Sequence, residues 1–190
     1  MPLILQKNGV FTHEVKRSVF YGYCEQIANE QDAKDIIQKT REKYPTANHN
    51  VFAYSIKEEN IIRFSDDGEP SGTAGMPVLN VFQKKGIIDF VCIVTRFFGG
   101  IMLGAGGLVR AYTHAAAGAM QNAEPCERIY YSIYNVICNY NQFDKMKYFF
   151  NKENIEILDI KFTDIIKATV KVQDDKSEPF FEAGFFIITN

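Results

Sequence analysis

IIDFVCIVTRFFGGIMLGAGGLVRAYTHAAAGAM, residues 87–120, decides how the larger part of this 190-residue chain folds. Ile87 to Val94 is apolar at every position but Asp89, the pattern of a central strand covered on both faces. It runs directly into Arg96 and a loop carrying Gly99, Gly100, Gly104, Gly106 and Gly107. Beyond the loop, Leu108, Ala111, Tyr112, Ala115, Ala119 and Met120 recur on one helical face, while Arg110, His114, Ala117 and Gln121 fall on the other. The segment is therefore a strand, a glycine loop and a helix. Backbone N–H groups in such a loop, with the helix N-terminus, can cradle an anion. Arg96 and Arg110 would add charge-assisted bonds to a phosphate or carboxylate. No Gly-Lys-Ser/Thr follows, so this is not a Walker loop, and a tight turn packed on a neighbouring helix explains the glycines equally well.

Upstream lies the other glycine-rich segment, SDDGEPSGTAG at residues 65–75. Asp66, Asp67 and Glu69 offer the oxygen ligands that Mg²⁺ prefers, although Asp-Gly and Glu-Pro are also ordinary turn chemistry, the commoner case. Ser71 and Thr73 have no evident base, so a Ser/His/Asp site is unsupported. His13, His49 and His114 are scattered, and only folding could bring one to the glycine loops.

Further outward, Val10 to Val15 and Val19 to Cys24 read as a hairpin turning at Lys16-Arg17. Asn29 caps a helix with Asp32 in its first turn, and Pro45 ends it. Val51 to Ile56 and Ile61 to Phe64 form a second strand pair, and Pro77 suits the first turn of a short helix carrying Val78, Leu79 and Phe82.

Ala123-Glu124-Pro125 breaks the glycine-loop helix and sets the expected boundary between domains at 1–125 and 126–190. The second part parses as strand Tyr130 to Cys138, helix Phe143 to Asn151, strands Ile155 to Phe162 and Ile165 to Val172, helix Lys176 to Ala183 and strand Phe185 to Thr189. That order, βαββαβ, is the ferredoxin-like arrangement. The fold class is α+β in two domains.

Composition narrows the function. With 46% hydrophobic residues the chain has material for real cores, and its net charge of −2 provides no global field for nucleic acid, so any such contact needs a local patch. No apolar run approaches the ~18 residues that span a bilayer, and the expected location is the cytoplasm, without a membrane partner. Cys24, Cys92, Cys126 and Cys138 lack zinc or disulfide spacing and read as small hydrophobes.

These motifs together resemble the YigZ/IMPACT family. The matching stretches are Lys16-Arg17-Ser18-Val19-Phe20, the pair Ala47 and His49, residues 64–75 with Pro77, and Arg96 to Tyr112. The resemblance implies an N-terminal domain of the ribosomal-protein/elongation-factor type and a C-terminal ferredoxin-like domain similar to domains of elongation factor G. It departs from the family pattern at Val19, where an Arg is usual, at Phe97-Phe98, often Tyr-Tyr, and at Met102, in many members a Lys. Eukaryotic members regulate translation by interfering with activation of an amino-acid-starvation kinase through its partner protein; they carry an extra N-terminal domain that is not expected here, so that pathway is not expected to transfer. The resulting expectation is a non-enzymatic, translation-associated factor that contacts RNA or a ribosomal partner, without cofactor and without DNA specificity. Its binding residues would be Lys16, Ser18, Asp66, Asp67, Glu69, Thr73, Arg96, Gly99, Gly100, Gly104, Gly106, Gly107 and Arg110. The alternative is a small enzyme or binding protein for a phosphorylated metabolite or nucleotide, the loops and arginines holding phosphate and the three carboxylates holding Mg²⁺.

Overall fold

The computed structural model describes residues 2–182 and 186–188, which fall into two compact units dividing between Arg128 and Ile129. The first contains β1 (Leu3–Leu5), β2 (Gly9–Val15), β3 (Ser18–Gln26), α1 (Glu30–Lys43), β4 (His49–Ile56), β5 (Ile61–Ser65), α2 (Gly75–Lys85), β6 (Phe90–Phe97), α3 (Ala105–Asn122) and β7 (Pro125–Glu127). Five of its strands form an antiparallel sheet in the order β2-β3-β6-β4-β5.

Period-two alternation gives this sheet two faces. Phe20, Cys24, Val51, Ala53, Cys92 and Val94 point toward α2 and α3 and join Phe82, Leu108, Tyr112 and Ala115 in the main core. Tyr54, Ile56, Val91 and Ile93 point the other way and meet Ala33 and Ile37 of α1. The face of α3 read from the sequence is the buried one, with Leu108, Ala111, Tyr112, Ala115, Ala119 and Met120 all in the core. It seats closely because Gly22 of β3 lies beneath it: a Cβ there would come 2.4 Å from the carbonyl oxygen of Ala115. Helix α1 starts where expected, the Asn29 side chain accepting from the Asp32 N–H at 3.0 Å and Asp32 accepting in return from the Asn29 N–H at 3.3 Å.

Two readings change. The central strand is Phe90–Phe97, so Arg96 lies within it, not before a loop. Ile87 and Ile88 instead pair with the N-terminus, the Ile88 N–H donating to Leu3 and the Leu3 N–H to Gly86, and Asp89 takes the left-handed turn between them at φ 54°. The break at Pro125 is followed by β7, which pairs antiparallel with β1.

The second unit contains β8 (Tyr131–Cys138), α4 (Phe143–Glu153), β9 (Glu156–Phe162), β10 (Ile166–Gln173), α5 (Ser177–Glu182) and β11 (Phe186–Ile188). Its sheet order β11-β8-β10-β9, antiparallel throughout, is the ferredoxin-like βαββαβ topology. Val136, Met146, Phe150, Ile166, Val170 and Phe180 fill its core. Of the expected last helix and strand, Ala183, Phe185 and Thr189 lie outside the described residues.

Candidate functional site

Strand β6 carries Arg96 into the main core, where its side chain is 6% exposed. Nη1 donates to Glu69 Oε1 at 2.6 Å and Nη2 to Ser18 Oγ at 3.3 Å. The guanidinium lies 5.3 Å from the ring centroids of both Phe20 and Phe98. Glu69 Oε1 also accepts from the Tyr112 hydroxyl at 2.7 Å, and Ser18 Oγ accepts from the Gly99 N–H at 3.2 Å. Burial, then the Glu69 carboxylate, pushes the Tyr112 phenol far above its ordinary value and keeps it a donor. The network ties three parts of the chain together: the hairpin through Ser18, the first glycine segment through Glu69, and the second through Arg96, Gly99 and Tyr112.

His49 completes it. Its Nδ1 lies 2.8 Å from the Asp67 carbonyl, which can only accept, so that nitrogen carries the proton and Nε2 faces Glu69 Oε1 at 3.7 Å. Beside it Asn48 accepts from the Phe98 N–H at 2.8 Å. His49, Glu69, Arg96, Phe98 and Gly104 line a cleft of about 340 Å³ in which the two glycine segments meet. From the sequence His49 reads as an ordinary polar residue and Tyr112 as core; the signal for His49 is its place in the family motif.

The carboxylate trio does not converge. Asp66 accepts from the N–H groups of Gly72, Ala74 and Gly75 at 2.9, 3.0 and 2.8 Å, thereby capping α2, whose N-cap Ala74 has no capping side chain. Asp67, at φ 46°, accepts from the Asn50 N–H at 2.6 Å and from Arg41 at 3.0 Å. With Glu69 held by Arg96 and Tyr112, the three carboxylates of the alternative Mg²⁺ reading are bonded to separate donors. Among the described residues no group of three or more His, Cys, Asp or Glu side chains is placed to hold a metal. Thr73 closes its own turn by donating to the Pro70 carbonyl at 2.6 Å.

For Asp66, burial alone would raise the carboxyl, but the three N–H donations outweigh it and hold the value below normal. A lowered folded value means stability present above the unfolded carboxyl range and lost as pH falls through the folded one. Asp66→Ala is expected to cost about 1 kcal/mol at pH 7, as for a lost helix cap, with the difference from wild type shrinking toward pH 3 in urea denaturation.

Two further surfaces flank the hairpin. On the α3 side, His13, Lys16, Gly107, Arg110 and His114 line a pocket of about 740 Å³. Arg110 is thus separated from Arg96, the partner expected for it: one is solvent-exposed, the other is buried and paired. On the opposite face, α1 packs over β4 and β6 but leaves β2 and β3 open, with Val10 63% and Tyr21 37% exposed. Tyr21 and Tyr44 stack there at 5.9 Å and 9°, and Phe97 stands across both at 5.8 and 6.1 Å. Lys39 and Lys43, one turn apart on α1, edge this groove of about 410 Å³, and Lys43 Nζ lies 5.2 Å from the Tyr44 ring centroid. Burial also pushes the Glu25 carboxyl up, Lys39 opposing it. Nothing in the sequence marks this groove as a site, and Phe97, a departure from the family pattern, stands beside it. The groove's members are spread over four elements.

Cys24 and Cys92 are buried free thiols paired across β3 and β6, and burial pushes Cys24 up to about 12, so both are chemically quiet. No helix among the described residues is long and apolar enough to cross a membrane.

Comparison with known proteins places these features in company. The Impact N-terminal domain profile matches residues 16–120, and a domain of unknown function, DUF1949, matches residues 136–183. The IMPACT family member YvyE of Bacillus subtilis is 34% identical over 90% of this chain and 80% of its own length. An IMPACT family member of Haemophilus influenzae is 32% identical over 90% of this chain and 84% of its own. A crystal structure described as that of a hypothetical protein aligns over 99% of this chain and 96% of its own with a TM-score of 0.66 at 25% identity.

Proposed function

Because the chain belongs to the IMPACT family, we propose that it is a non-catalytic, translation-associated factor of the cytosol that contacts single-stranded RNA through the open face of β2 and β3. The observation that carries this reading is the groove in which the stacked rings of Tyr21 and Tyr44, with Phe97 edge-on against them, sit beside Lys39 and Lys43. Aromatic faces accept unstacked bases of any sequence, and flanking cations follow the phosphate chain. A paired duplex hides its base faces, so the groove is assigned to single strands and not to duplex DNA. The translational setting comes from the family's eukaryotic members. The Mg²⁺-dependent metabolite reading loses support, since Asp66, Asp67 and Glu69 are bonded to separate protein donors.

Fluorescence anisotropy with a short single-stranded RNA at low salt tests the proposal. Tyr44→Ala is expected to weaken binding about tenfold or more, and each of Lys39→Ala and Lys43→Ala to reduce the slope of log affinity against log salt by about 0.7. Wild-type protein should sediment with ribosomes at low salt and the triple variant should not. Absence of RNA binding at low salt, or a Tyr44→Ala protein that binds like wild type, overturns the reading.

A further inference from the structure

We infer that the pocket between the β2–β3 turn and α3 is a phosphate-binding site, formed by His13, Lys16, Arg110 and His114. It lies on the other face of the hairpin from the groove assigned to RNA bases and does not depend on that assignment.

The pocket collects four nitrogen side chains from three elements, and its lining contains no carboxylate. Lys16 and Arg110 make no salt bridge among the described residues, whereas Arg41 and Arg96, away from this pocket, are both paired with acids. An anion arriving here breaks no ion pair of either side chain among the described residues. The histidines are held for the task. Their ring centroids are 4.4 Å apart at 64°, and Phe11 packs edge-on against His114 at 5.4 Å, so both imidazoles are fixed at the pocket wall. Burial, then the proximity of His114, lowers the His13 value in the free protein; a bound dianion would reverse that by favouring imidazolium. The fourth group sits where a glycine would be easier. Lys16 and Arg17 form the two-residue hairpin turn with φ 46° and 64°, both left-handed, a conformation that usually selects Asn-Gly. Lys16 takes this conformation in spite of its Cβ, and its side chain lines the pocket.

Phosphate fits this set better than carboxylate does, because it has enough oxygens to engage a guanidinium, an ammonium and two imidazoles together. The phosphate could be a monoester on a small metabolite or the diester chain of RNA.

The imidazole resonances of His13 and His114, followed by NMR at constant ionic strength, read the site directly. Inorganic phosphate, a nucleoside monophosphate and a single-stranded RNA are titrated separately against sodium chloride. The phosphate probes are expected to move both residues saturably and to raise the His13 titration midpoint. Lys16→Ala with Arg110→Ala should weaken binding by about tenfold or more, the scale of losing hydrogen bonds to a charged group; both positions are exposed, and circular dichroism checks the fold. Tightest binding to the monophosphate identifies a small-molecule site, and tightest binding to RNA, with a steep salt slope, a backbone contact. Movement no larger than sodium chloride produces, or binding undiminished in the double variant, overturns the inference.

Discussion

Glu69→Ala is expected to destabilise the first unit by about 3–5 kcal/mol, the range for removing one partner of a buried ion pair. The side chains of Glu69 and Arg96 are 4% and 6% exposed, so water cannot replace the lost carboxylate without opening the core. Ser18 Oγ at 3.3 Å is the one polar side-chain partner left to the guanidinium, and Arg96 Nε has none among the described residues to begin with. The Tyr112 hydroxyl loses its acceptor in the same step, a further unsatisfied buried donor. Urea denaturation followed by far-ultraviolet circular dichroism measures the loss. The double variant Glu69→Leu, Arg96→Met removes both charges and keeps the volume, and should recover most of the stability, because apolar replacement of a buried pair is often neutral or better. A single variant within 1 kcal/mol of wild type, or a double variant as unstable as the single, would show that the pair does not hold the glycine segments together.

Elements whose cues are local were legible: the Asn29–Asp32 cap of α1 lies within one turn, and the buried face of α3 follows from helical spacing alone. The βαββαβ order of the second unit follows from alternating patterns and turn residues in the same way. Elements whose cues are distant were not. The three-residue strands β1 and β7 are too short to show a pattern and exist only because they pair across nearly the whole first unit. Ile87 and Ile88 extend an apolar run, but their hydrogen bonds go to Leu3. The carboxylates show the same limit within four residues. Asp66 finds backbone donors close by in sequence, whereas Glu69 finds Arg96 and Tyr112 at separations of 27 and 43 residues, which no spacing rule predicts. The result is that a segment suited by composition to metal divides into a helix cap, a strand anchor and a buried counter-charge. The two surface pockets are legible only in part for a related reason: Lys16 and Arg110 stand out in the sequence, but each pocket is assembled from several elements that only folding brings together.

Gly99→Ala is the substitution expected to disturb both stability and the phosphate pocket. An added Cβ would lie 2.0 Å from the Arg17 carbonyl carbon and 2.1 Å from its oxygen, backbone atoms that cannot rotate away. Either the glycine loop or the Lys16–Arg17 turn must move by about an ångström, and overpacking of this kind costs about 1–3 kcal/mol. The Gly99 N–H also leaves Ser18 Oγ, which in turn supports Arg96. Displacing the turn carries Lys16 away from Arg110 and His13, so the phosphate-induced imidazole shifts should shrink along with the denaturation midpoint. Gly100→Ala separates the two effects. Nothing lies within 4 Å of its Cβ, but its φ of 83° leaves a side chain strained, at a cost of about 1–2 kcal/mol. That variant should lose stability and keep the phosphate response. If Gly99→Ala denatures like wild type, the turn and the loop are not in contact in solution; if Gly100→Ala loses the phosphate response equally, loop conformation and not the position of Lys16 governs the pocket.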